Sequence, residues 1–87
     1  MNSIELRVDA DHDVLYAKRL GARIHLSDEA PTDSFLILNR DADGDVVGVQ
    51  FLAVNEMELE YWRHHPDRGF LPADILAALD GWMAARR

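Results

Sequence analysis

The stretch Ser34-Phe-Leu-Ile-Leu-Asn-Arg-Asp-Ala-Asp-Gly-Asp-Val-Val-Gly-Val-Gln-Phe-Leu-Ala-Val54 constrains the fold of this chain more than any other. Two apolar runs flank a short Asp/Gly-rich segment, the strongest local signal for a β-hairpin. Phe35 to Leu38 is apolar on both faces, as in a central strand covered from both sides. After the turn, Val47, Val49, Phe51 and Ala53 share one face, and Val46, Gly48, Gln50, Leu52 and Val54 the other. Gly48 has nothing to pack, which marks a bulge or the close approach of another element.

A first hairpin precedes it. Ile4, Leu6 and Val8 alternate with Glu5 and Arg7, the period of a half-buried strand. Asp9-Ala-Asp-His-Asp13 interrupts them, and Val14 to Leu20 resumes with β-forming residues up to Gly21. Ala22 to Leu26 reads as a short third strand or as the second continued past a bulge. Ser27 to Asp33, with Pro31 and three acids, reads as loop.

From Asn55 the pattern changes. Residues 56–61 alternate like a strand, but Asn55 with Glu58 three positions later has the form of a capping box, which favours a short helix. His64 to Gly69 breaks it. Pro72 then opens a helix at a position proline tolerates well. Ile75, Leu76, Leu79, Trp82 and Met83 form one apolar stripe, with Asp74, Asp80 and Arg87 off it. That stripe must cover the sheet or a partner subunit. The expectation is a single α+β domain over 1–87. An antiparallel β-meander of about four strands (two hairpins) occupies 4–54, and one short and one longer C-terminal helix occupy 55–87.

Composition narrows the function classes. A chain of 87 residues buries only roughly 60% of its unfolded surface, so added core from a second chain is a natural expectation. A homodimer or a small protein partner follows. Sixteen acidic against nine basic side chains give a net charge of −7, which repels phosphate backbones and argues against nucleic acid as the primary partner. The absence of cysteine excludes disulfides, thiolate metal sites and a cysteine nucleophile. No apolar run is long enough to span a membrane and the N-terminus does not read as a signal peptide, so the sequence expectation is a cytoplasmic protein.

The candidate chemistry is sparse. Asp9/Asp11/Asp13 and Asp41/Asp43/Asp45 have the alternate carboxylates that open an EF-hand loop. The rest of that template fails: Val14 and Val46 stand where glycine is needed, and Leu20 and Leu52 where a bidentate glutamate is needed. Both clusters therefore read as turns, and no metal ligand is assigned. His64 and His65 are adjacent, not four apart as on a zinc-binding helix; His12 and His25 are isolated. Ser3, Ser27 and Ser34 lie in no nucleophile elbow, and no glycine-rich loop can cradle phosphate. The expectation is no catalytic residue and no cofactor. Tyr61, Trp62, Arg63 and Phe70, with Leu79, Trp82 and Met83, form a candidate interface rich in the residue types that anchor protein contacts. The reading is a non-catalytic interaction module. The alternative is an ion- or small-ligand-binding protein using the acidic turns or the His64/His65 region.

Asp9-Ala-Asp-His-Asp-Val-Leu-Tyr16 resembles the opening signature of the small bacterial YuzE-like family (domain of unknown function 2283). Asp41-Ala-Asp-Gly-Asp-Val-Val-Gly-Val-Gln-Phe-Leu52 is similar to its second signature, an acidic turn followed by a Val-Gly strand. The likeness covers about residues 4–54 and departs at Gln50, often an acid in the family, and in the long segment from Asn55. It implies no catalytic residues. Through members encoded beside small toxin-like proteins, it implies an antitoxin-like role.

Overall fold

Five antiparallel strands form one sheet in the order β1-β2-β5-β4-β3. They are β1 (Ile4–Asp9), β2 (Val14–Arg19), β3 (Leu26–Glu29), β4 (Leu36–Arg40) and β5 (Val46–Leu52), in a computed structural model that describes residues 3–86. Two α-helices follow, α1 (Leu59–Arg63) and α2 (Ala73–Ala85), with 3-10 turns at Val54–Glu56 and Pro66–Phe70. The α+β class, with its antiparallel sheet followed by a short and then a longer helix, is as the sequence predicts.

Both expected hairpins are present, β1–β2 about Asp9–Asp13 and β4–β5 about Asp41–Asp45. Gly44, at φ 86°, supplies the left-handed residue of the second turn. The sheet has one strand more than expected. Leu26–Glu29 pairs with β4, where the acidic, proline-bearing run had suggested loop over Ser27–Asp33. Backbone pairing overrides composition here: the His25 N–H donates to the Arg40 carbonyl (2.7 Å) and the Ala30 N–H to the Leu36 carbonyl (2.8 Å). Ala22 to His25 is not a strand but part of the connection that carries the chain from β2 to the far edge. β2 therefore lies beside β5, and the order departs from a simple meander.

Gly48 meets both of its expectations. The β4–β5 register slips between Asn39 and Arg40, and a Cβ at Gly48 would lie 2.9 Å from the Ala17 carbonyl oxygen on β2.

The core lies on one face of the sheet. Leu15, Ala17, Leu36, Leu38, Val49 and Phe51 are buried there against Ile75, Leu79 and Met83 of α2 and Trp62 of α1. The helical stripe is thus used within the chain. On β4, Leu36 and Leu38 point into this core, while on the other face Asn39 is buried, Ile37 is half-buried and Phe35, just before the strand, is exposed. Strand alternation decides the orientation within the apolar run, and Phe35 is left available.

Two bidentate arginine–carboxylate pairs fasten α2. Arg19 at the end of β2 reaches Asp74 at 2.8 and 3.0 Å, and Arg68 reaches Asp80 at 2.8 and 3.0 Å. Asp80 also accepts the Trp62 indole N–H at 2.7 Å. The Arg68 guanidinium holds the Asp80 carboxyl below its ordinary value, helped by the indole; Arg19 does the same for Asp74. Asn55 does not cap α1, whose N-cap is Glu58 without a side-chain bond. The Asn55 N–H donates instead to the Asp13 carboxylate (3.0 Å), tying the first acidic turn to the end of β5.

Candidate functional site

Two loops outside the sheet exchange carboxylate hydrogen bonds. In the 30–35 loop, Asp33 accepts the Phe35 N–H (2.9 Å), and its other oxygen lies 2.7 Å from His65 Nε2. In the 64–68 loop, the buried Asp67 accepts the Thr32 hydroxyl (2.8 Å) and the Thr32 N–H (3.2 Å). His65 Nδ1 accepts the Asp67 N–H at 3.1 Å. An unprotonated Nδ1 assigns the ring proton to Nε2, which donates to Asp33. This clasp orders the two aromatic side chains beside it. Asp33 fixes the turn that presents Phe35, and Tyr61 packs edge-on against His65 with centroids 5.7 Å apart.

Between them lies an open hollow of about 400 Å³, lined by Asp33, Phe35, Ala53, Met57 and Tyr61, with Glu56 and Glu58 also on its wall. Phe35 and Tyr61 are 56% and 58% exposed, unusual for side chains of this size. Ala53, in the left-handed region at φ 52°, turns the chain out of β5 and so places the Val54–Met57 segment along the hollow. An apolar floor with three carboxylates around it suits an apolar group that carries positive charge. A neighbouring depression of about 380 Å³ contains Glu58 and Glu60 but also Arg63 and Arg86. Glu60 and Arg63 pair at 3.4 Å, so its charges largely answer one another.

The structure separates the residues singled out in the sequence. Trp62, Leu79 and Met83 lie in the chain's own core, and of the three only Met83 reaches a surface depression, the one it lines with Glu58, Glu60, Arg63 and Arg86. Trp62 is held by Phe51 edge-on at 5.3 Å, the Arg68 guanidinium over its ring and Asp80 on its N–H. Tyr61, Arg63 and Phe70 are exposed and Trp82 is half-buried beneath Arg86, whose guanidinium stands 4.6 Å from the ring. Of this set, Tyr61 belongs to the hollow and Arg63 to the neighbouring depression.

His64 and His65 do not share a site. His64 is exposed, 3.3 Å from Glu60, whereas the His65 ring is enclosed with both nitrogens engaged. That arrangement leaves no lone pair of His65 for a metal and no ring nitrogen for a substrate. The Asp41, Asp43 and Asp45 carboxylates can approach within 4.8 Å of one another. Asp41 nevertheless spends Oδ1 on the N–H groups of Asp43 and Asp45, each at 3.0 Å, which is what an acidic turn residue does without an ion. In the first turn Asp9 accepts from His12 at 2.9 Å, and that bond lowers the Asp9 carboxyl from its usual range.

Sequence reasoning missed Asp33, Phe35, Met57, Glu56 and Glu58. The signal for Phe35 was present: if Leu36 and Leu38 face the core, strand alternation turns Phe35 away from it. The convergence of the 30–35 loop, the chain leaving β5 and α1 had no local signal. Comparison with protein-family models, curated proteins and solved structures gives no match, so the YuzE-like resemblance rests on the two turn-and-strand signatures alone.

Proposed function

We propose that this chain is a non-catalytic protein-interaction module whose hollow between Phe35 and Tyr61 receives an apolar–basic segment of a partner protein. The observation that carries the reading is the exposed aromatic pair over a floor that includes Met57 and Ala53, with Asp33, Glu56 and Glu58 around it. Aromatic faces and carboxylates together favour an arginine or lysine side chain, whose stem packs on the rings while its charge meets the acids. The net charge of −7 speeds encounter with such a partner. Neutralisation of a small basic toxin-like protein, the antitoxin-like role, is one case of this chemistry. The molecule would act by occupying a surface, with no bond made or broken.

The test is a ¹H–¹⁵N titration of the full chain with an Arg-Leu-Arg-Phe-Arg peptide and with its Glu-Leu-Glu-Phe-Glu counterpart. Expected are shifts clustered at Phe35, Ala53, Met57 and Tyr61 for the basic peptide only, abolished by Phe35→Ser/Tyr61→Ser. Shifts spread equally over Asp41–Asp45 and the other acids, and indifferent to that variant, would mean plain charge attraction and refute the site.

A further inference from the structure

The hollow is not the only surface left open, and the second is a backbone edge. We infer that the free edge of β1 pairs with the same edge of a second copy of this chain. A two-fold axis through Leu6 then joins two five-stranded sheets into one. The inference takes up the contact-protein reading but uses a different surface, so either can fail without the other.

The phase of β1 decides which groups face outward. The Leu20 N–H donates to the Ser3 carbonyl at 2.8 Å, which makes Ser3 and its alternates Glu5, Arg7 and Asp9 the residues that bond β2. Ile4, Leu6 and Val8 therefore aim their N–H and C=O groups away from the sheet. β1 runs six residues in unbroken register, with no proline and no bulge, the devices that ordinarily blunt an edge. On the core-side face, Leu6 and Val8 remain 40% and 46% exposed.

Antiparallel pairing about Leu6 sets Leu6 against Leu6 of the partner subunit and Ile4 against Val8 of the partner subunit. All three are outward-bonding residues, as a hydrogen-bonded ladder requires. The same register sets Glu5 against Arg7 of the partner subunit, and by symmetry does so twice. Sliding the pairing by one step in either direction keeps the ladder but opposes Glu5 to Glu5 of the partner subunit, or Arg7 to Arg7 of the partner subunit. Of these three registers only the one about Leu6 is complementary in both charge and apolarity, and it pairs more of the strand than a register about Val8, which overlaps the strand only from Arg7 to Asp9. The opposite edge lacks this property. β3 is four residues long, and its central register would set Asp28 against Asp28 of the partner subunit.

Sedimentation velocity of the full chain over a wide concentration range tests this. Leu6→Pro removes an N–H that makes no bond to β2, a substitution that suits an edge strand. Expected are a concentration-dependent dimer for the native chain and a folded monomer for Leu6→Pro. Glu5→Arg or Arg7→Glu alone should weaken dimerisation by about tenfold, since each acts twice across the axis, and the double exchange should restore it. A chain monomeric throughout, a dimer indifferent to Leu6→Pro, or a double exchange no better than the singles would overturn the inference. Should Leu6→Pro unfold, hydrogen exchange of the native chain decides. The Ile4, Leu6 and Val8 amides must gain protection as concentration rises, and exchange independent of concentration refutes the edge.

Discussion

Replacing His65 by leucine separates a structural histidine from a functional one, and the size of the effect follows from the clasp. The side chain is fully enclosed, so a residue of similar volume keeps the space filled and removes the polar contacts together with the ring contacts to Tyr61 and Trp62. Two bonds are lost. The buried Asp67 N–H loses its acceptor, which costs about 1–3 kcal/mol for an unpaired buried donor. Asp33, whose side chain is 15% exposed, loses a donor to its carboxylate, worth about 1.5–3 kcal/mol for a bond to a charged group. Leucine returns about 1 kcal/mol through greater apolar burial. The net loss is about 1.5–5 kcal/mol, against a total stability of about 4–13 kcal/mol for a domain of this length. At about 4–8 °C per kcal/mol, the melting temperature should fall by about 6–40 °C. Urea unfolding followed by tryptophan fluorescence is the assay, because the Trp62 and His65 rings lie 5.4 Å apart. Asp33→Asn and the double variant complete a cycle, with an expected coupling of about 1 kcal/mol or more. A loss under about 0.5 kcal/mol, or strictly additive effects, would refute the clasp as the element that orders Phe35 and Tyr61.

Three other outcomes are checkable by denaturation. Gly48→Ala forces a methyl against the Ala17 carbonyl and the Lys18 Cα, at 2.9 and 3.2 Å, and should cost about 1–3 kcal/mol; a neutral result would mean the strands part freely there. Asp41→Ala removes the acceptor of two turn N–H groups and should cost about 0.5–1.5 kcal/mol, whereas Asp43→Ala should cost less than about 0.5 kcal/mol; the reverse ranking contradicts the turn role. Asp74 and Asp80 are held below the ordinary carboxyl value of 3.8 by Arg19 and Arg68, so the unfolded chain binds these protons more readily than the folded one. Their contribution is complete above that value and is lost as pH falls through the lower folded one. Stability should therefore drop on acidification below about pH 4, less steeply in Asp80→Asn. Asp80 is 43% exposed, so solvent screening keeps the difference small; identical slopes would remove the pair from the balance.

The parts of this fold that were legible in the sequence are those with a local cause. The Asp/Gly turns, the alternation through β1 and β5 and the stripe of α2 each announce themselves within a few residues. β3 did not, because Ser27, Asp28 and Glu29 form a strand only through pairing supplied by β4. Asp74 and Asp80 read only as residues off the apolar stripe, yet each is tied to an arginine 55 or 12 positions away. Trp62 read as an interface anchor because buried core and contact hot spots use the same residue types; only the positions of Phe51 and Asp80 tell them apart. The hollow was the least legible. Its walls come from the 30–35 loop, the end of β5 and α1, and the bond that aligns them joins Asp33 to His65 across 32 positions.

The most direct measurement is a paired capture from the native host, with the full chain as bait beside its Phe35→Ser/Tyr61→Ser form, and bound proteins quantified against each other. A basic protein retained by the first bait and lost from the second is the predicted result. The same proteins in equal amounts on both baits, or none on either, would contradict the assignment of this surface to partner recognition.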